Sequence, residues 1–457
     1  MPVTIREGQS LELSIKRLGI NGEGIGYYQR KIVFVPQALP GEKIKVQITK
    51  DTPTFAEAKL IQLIKKSPDR ITPPCHFYDR CGGCQLQHLT YQKQLDFKRD
   101  LLKQALYKYK PLGYQNYPLK KTIGMKDPWY YRNKAQFQVR YNEKKKQAEA
   151  GLYQQNSHFL VAIDDCIVQE KETQAVINTV MSLVNKYQLP IYDERKNSGI
   201  LKTLMVRTAI KTNELQLVFI TNSKKLPKKK ILIEEITSKH PNIISVMQNV
   251  QNKKTSVVMG EEMIPLWGKE AIREELNELS FDLSAKAFFQ LNPKQTSILY
   301  QEAIKALDIG KNETVVDAYC GVGTIGLSVS KKAKEVRGMD ITSQAIEDAK
   351  INAKKIDAKN THYETGKAEI LLPQWIQAGF RFDSLIVDPP RTGLDDQLIK
   401  TILTNTPKKM VYISCNVSTL AKDLKKLSKV FHVDYLQSVD MFPQTARCEV
   451  VVKLSKK

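Results

Sequence analysis

At 457 residues the chain is too long for one ordinary domain, and roughly two to four are expected. Its apolar share of 42% suits a globular protein, and no apolar run reaches the roughly 18 residues of a membrane span. Lys and Arg number 71 against 48 acids, a formal net charge of +23 that divides as +5 over 1–66, +13 over 67–275 and +5 over 276–457. A basic excess centred on the middle of the chain points to a polyanion, most commonly nucleic acid; the competing reading is a lysine-rich surface that is merely soluble. Met1 to Gln9 is polar, so no secretory signal and a cytosolic home are expected. Seven cysteines in such a compartment argue against a disulfide framework.

Residues 1–66 read as a small barrel. Leu11-Glu12-Leu13-Ser14-Ile15 alternates with period two, and a glycine turn (Gly19, Gly22, Gly24, Gly26) follows. Then come Lys31–Val35, the turn Leu39-Pro40-Gly41, the alternating Ile44, Val46 and Ile48, and a last run from Ala56 to Ile61. Four or five short strands at this spacing predict a small antiparallel barrel.

Residues 67–275 open on Cys75-x5-Cys81-Gly82-Gly83-Cys84, three cysteines on one proline- and glycine-rich loop. Three thiolates can cap one face of a cluster or metal, and Cys166 is the fourth candidate ligand. Zinc usually takes paired ligand knuckles, whereas three clustered cysteines plus a remote one suit a [4Fe-4S] cluster; zinc and unrelated thiols are the alternatives. Tyr91 to Tyr109 reads as an amphipathic basic helix, and Trp129 to Arg140 interleaves aromatic with basic residues, as a strand that stacks bases and meets phosphates does. An ordinary strand with a basic outer face explains it equally well. Further strands are expected at Leu204–Ala209, 214–221 and Ile243–Val250, and the basic run 224–230 opens a helix.

Residues 276–457 alternate strand and helix, which predicts an α/β, mostly parallel, doubly wound sheet with ligands beyond the carboxyl ends of its strands. Four loaded segments sit at or near such ends. Asp317 leads into Gly321-x-Gly323-x-x-Gly326, and Asp340 follows Gly321 by 19 residues, where a ribose-binding acid belongs. Alone, that pair suits a nicotinamide cofactor. Asp388-Pro389-Pro390-Arg391 aims an acid into the cleft, and Ser414-Cys415-Asn416 presents a cysteine at the start of a helix. An oxidoreductase leaves both of these unexplained.

The whole arrangement resembles the RNA uracil-5-methyltransferase family. The resemblance is carried by Phe288-Phe289-Gln290-Leu291-Asn292, Asp317–Gly326, Asp388–Arg391, Ser414–Asn416 and Glu449, with a first segment similar to the RNA-binding TRAM domain at Gly22-x-Gly24-x-Gly26 and Leu39-Pro40-Gly41-Glu42. It implies a TRAM/OB-like barrel over 1–66, a central RNA-binding domain with iron–sulfur cysteines over 67–275, and an S-adenosylmethionine-dependent methyltransferase domain over 276–457. It further implies Cys415 as nucleophile and Glu449 as base, with Gln290, Tyr319, Asp340 and Asp388 around the cofactor or uracil, and Phe288 stacking a flipped base. Cys75, Cys81, Cys84 and Cys166 would hold a [4Fe-4S] cluster. Many relatives carry histidines in the Pro-x-Thr-x-x-x-Glu segment, which here reads Pro443 to Glu449 without them. Transfer-RNA-type relatives generally lack the barrel and the cysteine cluster, so the resemblance implies 23S ribosomal RNA as partner, with transfer RNA the alternative and a monomer the expected state.

Overall fold

The computed structural model describes residues 5–277 and 279–457. No helix in it is long and apolar enough to cross a membrane. Five strands, Ser10–Leu18, Gly24–Tyr28, Lys31–Val35, Lys43–Asp51 and Phe55–Lys65, close into a barrel around Leu13, Ile15, Val33, Val35, Ile44 and Val46. Gly24 and Gly26, expected in a turn, lie in the second strand. A Cβ on Gly24 would sit 2.6 Å from the Ala38 carbonyl oxygen, so glycine here serves close packing within a strand. One pairing, Ile32 with Phe55, is parallel. Glu42, at the end of the Leu-Pro-Gly turn, is 1% exposed and takes two hydrogen bonds from Arg70, at 2.5 and 2.8 Å. This two-pronged ion pair moors the barrel to the segment before the cysteine loop.

The central sheet has seven strands. Its spatial order is Glu262–Gly268, Ile243–Val250, Leu215–Thr221, Leu201–Thr208, Lys134–Asn142, Gln147–Tyr153 and Leu160–Ala162. Helices Lys171–Lys186 and Lys229–Lys239 bury Val176, Ile177, Val180, Leu232 and Ile236 against one face. The basic run 224–230 does lead into the second helix, whereas 129–133 precede the aromatic-basic strand rather than belong to it.

The last sheet runs Thr361–Thr365, Glu335–Asp340, Thr314–Ala318, Ser384–Val387, Lys409–Ser414, Glu449–Lys456 and Phe431–Val439. The first five are parallel, and Glu449–Lys456 inserts antiparallel between its two neighbours. This order reverses direction at Thr314–Ala318, the topological switch point where an open α/β sheet binds its ligand. Two observations blur a simple division of the chain. Helix Tyr91–Tyr109 buries Phe97, Leu101 and Leu102 in the same core as Leu385, Met410 and Leu424. The hairpin of Ala271–Leu276 and Leu279–Ser284 spans the 275/276 division, and both arms pack on that sheet's other core.

Candidate active site and cysteine cavity

Strand register assembles the site. Ser414 pairs with Val450 in the antiparallel ladder, so Cys415 and Glu449, one residue beyond, lie across from each other. Val387 pairs with Tyr412 and with Ala318, which sets Asp388 between the Cys415 strand and Tyr319. Ala318 pairs with Met339, bringing Asp340 alongside. Residues separated by up to 130 positions therefore share one edge because parallel strands end together.

The glycine turn is held from two sides. Asp317, 2% exposed, accepts the Gly326 N–H at 2.8 Å, and a Cβ on Gly326 would lie 2.9 Å from that same carboxylate oxygen. Asp340 accepts the Gly321 and Thr342 N–H groups at 3.1 and 2.8 Å. Tyr319, Gly321 and Gly323 all take positive φ (67°, 54° and 83°), a left-handed backbone that two glycines adopt without steric cost. A Cβ on Gly323 would strike the Tyr363 hydroxyl at 2.9 Å.

Electrostatics set the reacting groups. Burial pushes Glu449 up to about 7, with the Arg391 guanidinium opposing the rise. Burial, then the charge of Glu449, pushes Asp388 up to about 8. Burial likewise lifts Asp317 to about 7. The Cys415 thiol is raised by burial and by the two carboxylates, Glu449 and Asp388, while Arg391 favours its thiolate. Arg391 is itself anchored, its carbonyl accepting from Asn416 Nδ2 at 2.9 Å and from Thr419 Oγ1 at 3.2 Å. Asn416 also caps helix Val417–Leu427 by accepting the Ser418 N–H. A thiol, carboxyls raised by burial and a guanidinium thus share one edge of the sheet.

Gln290 lies beside the buried Tyr300, which also faces Asp388, Glu449 and Asp317. Tyr300 was not singled out in the sequence, because a tyrosine inside a regular helical pattern gives no signal of what it faces. Phe288 is 74% exposed at the rim, an unusual place for an aromatic ring next to a buried Phe289. Arg447, exposed between buried Ala446 and Cys448, interacts with both Arg391 and Cys415.

Cys75, Cys81, Cys84 and Cys166 line one cavity, together with Arg132, Tyr78, Leu152 and Ile163. Burial raises all four thiols, Cys81 to about 11 and Cys84 to about 12. Among the described residues no three His, Cys, Asp or Glu converge tightly enough to hold a metal ion. A single zinc at about 2.3 Å from each sulfur would require such convergence. The Gly83 N–H points at Cys81 Sγ, 3.3 Å away, and buried Arg132 Nε has no partner. Four thiols line this space with the unpartnered Arg132 Nε on its wall, and among the described residues the structure shows no metal or cluster site.

Comparison with known proteins decides the family. The sequence model for tRNA (uracil-5-)-methyltransferase matches residues 90–457, and that for the TRAM domain matches 6–61. The chain belongs to the tRNA (uracil-5-)-methyltransferase family. Within it, the chain is 62% identical to a protein of Enterococcus faecalis named as an uncharacterized RNA methyltransferase, over 99% of both. A likewise-named protein of Streptococcus pneumoniae is 54% identical over the full length of both. The structure is similar to a Pyrococcus abyssi tRNA (uracil-54, C5)-methyltransferase bound to S-adenosyl-L-homocysteine, with TM-score 0.77, 27% identity and coverage of 97% of this chain and 100% of that one. The protein is an S-adenosylmethionine-dependent RNA methyltransferase of the uracil-5 family with an N-terminal TRAM domain. Because a tRNA enzyme covers nearly all of this chain, the three-part layout does not by itself separate ribosomal from transfer RNA targets.

Proposed function

We propose that this chain methylates carbon 5 of uridine in 23S ribosomal RNA through a covalent adduct at Cys415. The observation that carries the chemistry is the register placing Cys415 opposite Glu449 on adjacent strand ends. Carbon 5 of uracil is a poor nucleophile. The Cys415 thiolate adds to carbon 6, forming a C–S bond and driving the C5–C6 electron pair onto carbon 5 and the carbon 4 carbonyl. S-adenosylmethionine supplies an electrophilic methyl on its sulfonium, and carbon 5 takes that methyl as the S–CH3 bond breaks. Glu449 removes the carbon 5 proton, the C5=C6 bond re-forms, and the thiolate leaves.

Glu449 raised to about 7 is a base poised near neutrality, and Arg391 favours the Cys415 thiolate against two acids. Asp340, Tyr319, Asp388 and Gln290 are assigned to the cofactor and the uracil, with Phe288 as the platform for a base taken out of its stack. We assign Cys75, Cys81, Cys84 and Cys166 as ligands of a [4Fe-4S] cluster that fixes the loop in shape. The basic middle of the chain supports a long RNA contact. Transfer RNA is the second reading, favoured by the Pyrococcus enzyme.

Labelled S-adenosylmethionine incubated with 23S ribosomal RNA should yield 5-methyluridine after digestion. Labelled transfer RNA with unlabelled ribosomal RNA would move the assignment to the second reading. Cys415→Ala should abolish turnover, and Glu449→Gln should trap a covalent RNA adduct; an active Cys415→Ala variant would refute the mechanism.

A further inference from the structure

The segment 440–448, which delivers Glu449 to the site, lies between two strands and takes its partners from elsewhere. Asp440 forms an ion pair with Lys98, both side chains fully buried, and accepts the Tyr91 hydroxyl at 2.9 Å. Tyr131 donates to the Pro443 carbonyl at 2.9 Å. Gln444 is the centre of the arrangement. It is 2% exposed and adopts φ of 69°, a costly conformation for a residue with a Cβ, which persists only where the surroundings over-determine it. Its carbonyl accepts the N–H groups of Gln85 and Leu86, both at 3.0 Å. Its own N–H donates to Gln94 Oε1 at 3.0 Å, and its Oε1 accepts from Gln94 Nε2 at 2.9 Å.

Gln85 directly follows Cys84, and its side chain donates to the Gly82 carbonyl at 3.1 Å. Tyr131 directly precedes Arg132, a wall of the cysteine cavity. The loop bearing three of the four thiols and the turn leading to Glu449 are therefore joined through backbone hydrogen bonds.

We propose that Gln444 is a positioning residue that makes the shape of the cysteine loop and the placement of the Glu449 carboxylate one structural variable. Perturbing the cysteine loop moves Gln85 and Leu86, releases Gln444, and lets Glu449 drift from carbon 5. Cys415, between strand Lys409–Ser414 and the helix Val417–Leu427 capped by Asn416, takes none of these bonds and stays in place. The consequence is selective: adduct formation survives and adduct release fails. This rests on the assignment of Glu449 as the base.

The test separates those two steps. Gln94→Leu removes both bonds to the Gln444 amide and side chain without touching a cysteine, and Cys84→Ser perturbs the loop from the other end, with Cys75→Ser as the substitute if it does not fold. RNA containing 5-fluorouridine reports adduct formation, since a fluorine at carbon 5 leaves Glu449 no proton to remove. Both variants should trap this RNA at the wild-type rate while 5-methyluridine formation falls by roughly ten- to a hundredfold. Hydrogen exchange of the free protein should quicken at 444–449 in each, and the double variant should be no worse than the more affected single. Unchanged exchange at 444–449 in the cysteine variant, additive losses, or loss of trapping in both would overturn the proposal. If the wild-type protein itself fails to trap the fluorinated RNA, the covalent mechanism is what fails, and the exchange coupling is still decided on the free protein.

Discussion

At the scale of single residues, the site is built from carboxyls that resist ionisation. Asp317, Asp388 and Glu449 all stand above the usual carboxylate range, chiefly through burial. An acid whose folded value is raised binds its proton more tightly folded than unfolded. Its stabilising contribution is complete below the unfolded value near 4 and is lost as pH rises through about 7 to 8. The cofactor-free protein should therefore melt at a lower temperature at pH 8.5 than at pH 5.5 in scanning calorimetry. Asp388→Asn should narrow that difference, because the group no longer has to ionise. Turnover should run the opposite way, rising with pH through about 7 as Glu449 becomes a competent base. A pH–rate profile with a flat acid limb would contradict its assignment.

Among elements, strands Thr314–Ala318, Glu335–Asp340, Ser384–Val387 and Lys409–Ser414 and helices Tyr91–Tyr109 and Ser343–Lys355 are legible because their apolar spacing matches their backbone period, whereas Thr361–Thr365, Ala368–Gln377 and Asp396–Thr404 are not. Helix Lys171–Lys186 and strands Gln147–Tyr153 and Glu262–Gly268 were not read: strands with Ala, Gly, Glu and Gln look like loops until their partners are known. The catalytic motifs were readable because each sits at a strand end, where the periodic pattern stops abruptly. Their mutual register was not, since nothing in a linear pattern states that Ser414 will face Val450. Gly338 illustrates the same limit. It interrupts a strand for no local reason, yet a Cβ there would lie 2.5 Å from the Tyr363 ring and 3.0 Å from Cys320 Sγ. Gly338→Ala should cost about 1–3 kcal/mol in denaturant unfolding and weaken S-adenosylmethionine binding, as overpacking displaces the turn Tyr363 supports. Lys98→Met, which strands a fully buried Asp440, should cost about 3–5 kcal/mol by the same measurement.

For the molecule as a whole, charge and architecture act together. The +13 carried by 67–275 accompanies a central sheet whose strand Lys134–Asn142 alternates buried Ala135, Phe137 and Val139 with partly exposed Lys134, Gln136, Gln138 and Arg140. We propose that this face meets a phosphate backbone without reading its sequence. RNA affinity should fall by roughly three hundred- to a thousandfold between 50 and 200 mM salt if about six phosphates are engaged. S-adenosylmethionine affinity, set by a recessed turn, should barely change; equal salt dependence of the two would contradict this division of labour.

The antiparallel insertion of Glu449–Lys456 between Lys409–Ser414 and Phe431–Val439 also dictates an order of assembly. The units around Thr314–Ala318, Glu335–Asp340 and Thr361–Thr365 close over short stretches of chain, whereas the inserted strand needs both of its neighbours already aligned. During refolding, amides of the first group should gain protection before those of 449–456 in pulse-labelled exchange. A half-assembled molecule would then have its cofactor turn while lacking Glu449 opposite Cys415. The pairing of these two residues arrives last, a kinetic order that follows from where one strand is threaded.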